Sequence, residues 1–471
     1  MLSSDAVDTW MIYFFLMADS YHHHLSLWAL AASSVQAAAS APETNVDVLI
    51  IGGGATGAYA ATRLRDQGKK VLVVESEKQL GGHVDTFIDQ ATGAPIDYGV
   101  QAYILNNQTQ NFFGRFNVAL NASTQSPFPT KLVDFKTGFV VPNATATDIL
   151  TLLGPIGDYI TAVSSYTGIA QGYYDIPQPV DPQLLEPFSK FVARNNVTAE
   201  MIQLIWQFAH GVGNLFDTPT LYVLQNFGLP HILGLAAGYV YSPAGNQLLY
   251  DRVAAFLGKD VLYSSRVVSS TRTTTGVTAV VQGACGTRTV RAKKLLITIP
   301  PTRKNLAVFN LDNNEKKLFD QFSDVPYHVG IIRKSSMPDL TNFYNVDLQS
   351  PTLLPSTPFA FRFETVGVPG YQTVKVIGEP SNAKARTLAL TAAKTVGNAV
   401  SGTPGNPSTA AWGQHKDLGL HVPIEAVADG FYSKLYDLQG GRSTWFTGYA
   451  WCSDYSPLLW AYTDERILPN L

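Results

Sequence analysis

Between residues 46 and 74 the apolar and polar positions fall into three blocks. Val46, Val48, Leu49, Ile50 and Ile51 form a short, β-branched run with few polar breaks, the pattern of a buried parallel strand. A glycine-rich turn follows, and residues 58–67 carry a helical pattern that Gly68 ends. Val71, Leu72, Val73 and Val74 repeat the buried-strand pattern. Strand, turn, helix and strand in this order predict a parallel βαβ unit. Further on, residues 261–281 read as a strand and hairpin. Residues 291–301 hold a buried strand around Leu295, Leu296 and Ile297, and 329–333, 359–365 and 373–376 are strand-like. Helical stretches are predicted at 149–160, 187–195, 200–211, 219–228, 247–257 and 316–322, with another within 380–407 ahead of a Gly/Pro/Ser loop.

The turn of the first unit carries chemistry. Gly52, Gly54 and Gly57 have the G-x-G-x-x-G spacing. The first glycine allows the tight turn, the second lets backbone approach a pyrophosphate, and the third lets helix pack on strand. The N–H groups and dipole at the helix start favour a phosphate there. Glu75 stands at the end of the second strand, about 20 residues past the glycines, where an acid accepts both ribose hydroxyls of an adenosine. A lone glycine motif is weak, and a glycine-rich turn of some other α/β protein would share it. Strand, glycines, helix, strand and acid in register are strong. Glu75 also argues against NADP, whose 2′-phosphate it would repel.

With 471 residues the chain is too long for one simple core and suggests two domains. The 46% hydrophobic fraction is ordinary for a globular protein, while 15% charged is low against the usual quarter or so. A net charge of −3 points to neither nucleic acid nor an anionic membrane. Cys285 and Cys452 allow at most one disulfide and match no metal spacing.

Residues 1–41 differ from the rest. Residues 10–17 are apolar, 25–39 are an Ala/Leu/Ser run, and Ala37, Ala38 and Ala39 resemble a signal-peptidase site. No Lys or Arg precedes the run, which is short for a membrane span. A secretory leader is expected, the alternatives being a disordered extension or a mis-assigned start; His22, His23 and His24 are incidental to it. Sequons at Asn107, Asn121, Asn143 and Asn196 agree with secretion without proving it. Residues 132–230 are crowded with aromatics, among them Tyr159, Tyr166, Tyr173, Tyr174, Trp206, Phe208, Phe216, Tyr222 and Phe227. A helical aromatic stripe is first of all core, and secondarily the lining of an apolar substrate pocket.

Leu80, Gly81, Gly82, His83 and Thr86 resemble the LGG(R/H)xxT segment of flavin-containing amine oxidases and their relatives. That resemblance implies FAD, with the segment along its pyrophosphate. Most amine oxidases have Arg where His83 stands; the histidine form resembles a branch of fatty-acid double-bond isomerases and fungal secondary-metabolite oxidases. Residues 97–101, DYGVQ, resemble the segment that brings backbone to the isoalloxazine ring, a role that falls to Gly99 and Val100. Residues 241–246 resemble the turn back into the FAD domain, and Val267 takes the position whose backbone meets adenine. Residues 443–449 resemble the last strand, with Gly448 in place and Tyr449 where an acid is usual. The final helix is implied to start near Asp454, placing Ser456 and Leu458 by the flavin pyrimidine. Together these motifs resemble the fungal β-cyclopiazonate dehydrogenase family, FAD-dependent oxidases that perform an oxidative ring closure on indole alkaloids.

The resemblance implies an α/β fold: a Rossmann-like FAD domain of the amine-oxidase and glutathione-reductase type, with an α+β substrate domain formed by insertions. The implied segments are 1–41 leader, 45–131, 236–308 and 426–471 for FAD, and 132–235 and 309–425 for substrate. The expected activity is hydride abstraction from a C–H of a small apolar or aromatic metabolite, with oxygen or another acceptor closing the cycle. Two alternatives remain: redox-neutral isomerisation of a polyunsaturated fatty acid, and a secreted non-catalytic binding protein on the same fold. No catalytic base is legible; Lys375, His210 and Tyr103 are only titratable groups near apolar residues. No H-E-x-x-H, P-loop or G-x-S-x-G motif is present; the resemblance implies that a flavin carries the reaction.

Overall fold

The computed structural model describes residues 43–123, 128–142, 152–284 and 286–471. The leader with its histidines, Asn143, Cys285 and the first residues of the predicted 149–160 helix lie outside the described residues.

The first apolar run lies in a strand, Glu43–Ile51, flanked in parallel by Val71–Val74 and by Gly286–Ile297. Val48, Leu49, Ile50, Leu295, Leu296 and Ile297 are fully buried, as a strand covered on both faces requires. The sheet continues in the order Arg266–Thr273, Gly276–Gly283, Gly286–Ile297, Glu43–Ile51, Val71–Val74, Val261–Leu262. Gly286–Ile297 changes partner along its length. Its first half pairs antiparallel with Gly276–Gly283, and its last residues pair in parallel with Thr444–Phe446. The strands of this sheet thus come from three stretches far apart in sequence.

A second sheet runs Ser408–His415, Tyr327–Arg333, Tyr371–Ile377, Phe359–Thr365, Asn342–Asn345, Thr130–Val133. The strands Asn342–Asn345, Ser408–His415 and Thr130–Val133 were not legible in the apolar pattern. The first and last are only four residues long, and STAAWGQH alternates no clear apolar face. Period-2 geometry gives this sheet two unlike faces. Val374 and Val376 pack with Phe363 and Ile332 against Ala385, Ala389, Ala393 and Val396 of the long helix Asn382–Ser401. Lys375, between them, points the other way, into a cavity.

Helices between Leu153 and Ala237 close the remaining side. Their aromatics are mostly core: Tyr159, Trp206, Tyr222 and Phe227 are buried, and Phe208 lines the cavity. No helix among the described residues is long and apolar enough to cross a membrane.

Candidate active site

A cavity of about 1430 Å³ runs from the glycine turn to the inner face of the second sheet. At the turn, Gly52 has φ +100°, and a Cβ there would meet Ile299 Cγ2 at 2.7 Å. A Cβ on Gly57 would lie 2.0 Å from the Gly52 carbonyl oxygen, so this third glycine serves packing and does not itself line the cavity. The helix Ala55–Asp66 opens at Gly54 with no side-chain cap and no acid in its first turn. Its first residues, Ala55 and Thr56, line the cavity, so the free N–H groups are open to an anion. The buried Glu75 carboxylate accepts from the Gly53 N–H at 2.6 Å and the Glu77 N–H at 2.7 Å. Those bonds orient it and use only part of its acceptor capacity, leaving lone pairs for a vicinal diol. These residues fit the ADP half of FAD.

Further along, two motif segments are tied together. Gly81 and Gly82 have φ of +121° and +60°. The Val100 N–H donates to His83 O at 3.2 Å, and the Tyr98 N–H to Asp85 O at 2.9 Å. A Cβ on Gly99 would sit 2.2 Å from His83 O and 2.9 Å from Asp85 N. Asn246 locks the pair from behind, donating through Nδ2 to Val100 O at 2.9 Å and through its N–H to Asp97 at 3.0 Å. Burial pushes the Asp97 carboxyl up to about 6, against the hydrogen bonds from Thr86 and Asn246. Gly99→Ala is therefore expected to force the two segments apart and to cut the flavin content of the purified protein several-fold, read as flavin absorbance per protein; a fully loaded variant would contradict this.

Gly448, Tyr449 and Ser456 line the cavity with Gly81, Gly82, His83, Gly99 and Val100. Two residues implied by the resemblance do not. Val267 is buried within Arg266–Thr273, and Leu458 turns into the core, where a Cβ on Gly172 would meet its Cδ1 at 3.1 Å. Of the titratable groups, Lys375 and His210 line the cavity. Tyr103 does not; it is fully buried in an aromatic cluster, its ring 5.7 Å from Trp460. Asn107, Asn121 and Asn196 are exposed.

At the far end the wall is polar and ordered. His415 Nε2 lies 2.8 Å from Asp85 Oδ2. The His83 ring stacks on His415 at 4.2 Å with a 10° interplanar angle, and Tyr327 lies parallel on it at 5.9 Å. Burial, helped by His415, holds the His83 imidazole well below its usual value. Tyr327 Oη is 2.8 Å from His210 Nε2, and His210 Nδ1 is 3.1 Å from Gln207 O. Burial and then the Lys375 and Arg362 cations keep His210 neutral, so it donates to the carbonyl and accepts from the tyrosine. Arg362 is 3.0 Å from Glu364 and also donates to Gln207 at 3.1 Å. Burial, then Arg362, lowers Lys375 to about 8. The pairing of Asp85 with His415 went unread in sequence. Asp85 lay inside a recognised motif, and His415 ends a strand with no apolar signature.

Comparison with known proteins accounts for this construction. Residues 50–116 match the NAD(P)-binding Rossmann-like domain. Over 422 residues the chain is 34% identical to beta-cyclopiazonate dehydrogenase of Aspergillus oryzae, covering 89% of this chain and 91% of that one. The chain belongs to the β-cyclopiazonate dehydrogenase family. An FAD-dependent oxidoreductase of Monascus ruber in the same group is 33% identical, over 91% of this chain and 92% of its own. Like these relatives, this family member is an FAD-dependent oxidoreductase. Its fold is that of a fatty acid isomerase from P. acnes that produces CLA (TM-score 0.71, 18% identity, 90% of this chain and 99% of that one). It is also that of putrescine oxidase (TM-score 0.64, 15% identity, 91% and 99%), the amine-oxidase architecture with a Rossmann-like FAD domain and mixed α/β sheets.

Proposed function

We propose that this oxidoreductase removes a hydride and a proton from an apolar, aromatic secondary metabolite, leaving a new double bond or ring. The conversion of β-cyclopiazonate to α-cyclopiazonate is the model for the reaction. The observation that carries the proposal is the Asp85–His415 pair on the cavity wall, 2.8 Å apart. Gly52, Gly54, the helix start and Glu75 would hold the ADP half of FAD, which would supply the hydride acceptor, with oxygen or another acceptor taking the electrons on. His415 accepts the accompanying proton. Its Nε2–H bond to Asp85 sets the tautomer, leaves Nδ1 as the basic nitrogen and stabilises the imidazolium that forms. Tyr327, Tyr344 and Phe208 supply apolar wall for the substrate body and exclude water. We further propose that 45–131, 236–308 and 426–471 build the FAD domain and that 132–235 and 309–425 build the substrate domain.

Isomerisation of a polyunsaturated acid is the competing reaction, and the likeness to the isomerase at 18% identity carries fold alone. Anaerobic mixing of the holoenzyme with an indolyl tetramic acid, and separately with linoleate, tests the proposal. Lasting flavin bleaching that air reverses is expected with the former. A product of unchanged mass formed without net bleaching would contradict it.

A further inference from the structure

The charges of the cavity wall are unequally satisfied. Arg362 donates to Glu364 at 3.0 Å, to Gln207 Oε1 at 3.1 Å and to Tyr344 Oη at 3.4 Å. Glu364 also accepts from Gln101 Nε2 at 3.2 Å. Lys375 projects into the same space from the next strand and makes no hydrogen bond or ion pair with any described residue. Lys375 is half-buried, and an ammonium partly withdrawn from water with no hydrogen-bonded carboxylate carries a cost that a methionine there would not. Nothing in the sheet calls for the charge, since the packing of this strand on its helix is done by Val374 and Val376 on the opposite face. The unmet valence lies with the ligand.

We propose that Lys375 is the docking point for an acidic group of the substrate: an oxyanion, either the enolate of a 1,3-dicarbonyl or a carboxylate. This rests on the reading of the cavity as the substrate site and names the substrate class. Position supports it. Val329 pairs with Lys375 on one side and with Gly413 on the other, so Lys375 and Gly413 stand two strands apart, about 10 Å. A Cβ on Gly413 would lie 3.6 Å from Asp85 Oδ2, which places the Asp85–His415 pair at that end. A substrate anchored by its oxyanion at Lys375 therefore reaches the base across the width of a small polycyclic body. Arg362, already shared among three acceptors, keeps Glu364 from neutralising Lys375. Glu364 and Asp454 are the carboxylates facing the lysine, and Arg362 and His210 the other charged or titratable groups; Glu364 is ion-paired with Arg362, and Asp454, an exposed residue, makes no ion pair with the lysine.

The test is titration of oxidised holoenzyme under nitrogen, following the perturbation of the flavin absorbance. Two ligand pairs serve: an indolyl tetramic acid with its O-methyl enol ether, and linoleate with methyl linoleate. At least one acid should bind about ten- to a hundredfold more tightly than its ether or ester. The pair that shows the gap identifies enolate or carboxylate. Lys375→Met should erase the gap while leaving ether or ester affinity unchanged, and Lys375→Arg should restore part of it. The Met variant should also melt no lower than wild type. Because the folded lysine sits near 8 against 10.5 when free, any gain in melting temperature is full below about pH 8 and fades as pH rises towards the free value. An unchanged gap in Lys375→Met overturns the proposal, as does equal weakening of acid and ether, a loss confined to reoxidation by oxygen, or no binding of either acid. If the acids bind with the expected gap yet neither reduces the flavin, the oxidative reading fails and the docking point stands. If bleaching proceeds and Lys375→Met leaves the gap intact, the reverse holds.

Discussion

His415→Ala is expected to slow anaerobic reduction of the bound flavin by about 10²- to 10⁴-fold, the usual cost of removing a positioned general base. The variant should remain yellow, because His415 takes no part in the glycine turn or in the hydrogen bonds that orient Glu75. Asp85→Asn should act in the same direction with a smaller loss. It keeps an acceptor for the His415 Nε2–H but removes the charge that stabilises an imidazolium. Stopped-flow reduction with an indolyl tetramic acid measures both. A His415→Ala rate within a few-fold of wild type would remove His415 from the chemistry.

Glu75→Ala should yield a folded, colourless protein. In the proposed FAD site the carboxylate would accept two ribose hydroxyls, and charge-assisted hydrogen bonds are worth about 1.5–3 kcal/mol each. Losing both predicts FAD affinity weaker by at least about a hundredfold. The fold loses less. The substitution frees the Gly53 and Glu77 N–H groups, and the Glu77 group is only part-buried. Circular dichroism close to wild type, with flavin lost on gel filtration, is the expected pair of results. Retention of FAD through gel filtration would contradict the assignment of Glu75.

The fingerprint could be read because it is local. Strand, glycines, helix, strand and Glu75 occupy one continuous stretch, and each obeys a short-range rule of period, φ angle or capping. Helix Asn382–Ser401 and strand Phe359–Thr365 were legible for the same reason. The far end of the site was not. Lys375 and His415 share one cavity wall only because Tyr327–Arg333 pairs with strands on both sides, residues 371–377 and 408–415, and pairing between distant strands leaves no mark in either. His210 was visible as a titratable residue, but its neutral state follows from burial and then from Lys375 and Arg362, more than a hundred positions later. Family resemblance carried Gly99 and Val100 to the cavity wall, where a glycine is sterically required. It also carried Leu458 there, yet the helix Ser456–Tyr462 turns that side chain inward onto Gly172. Resemblance transfers a position along the chain; the direction of a side chain depends on the local start of the helix.

The most direct measurement of the central claim is the product of a single anaerobic turnover, weighed while the flavin spectrum is followed. Oxidation predicts that the indolyl tetramic acid is recovered two hydrogens lighter, in an amount equal to the flavin bleached, and that the bleached flavin recovers its colour when air is admitted. A product of unchanged mass, formed while the flavin ends the turnover oxidised, would contradict it.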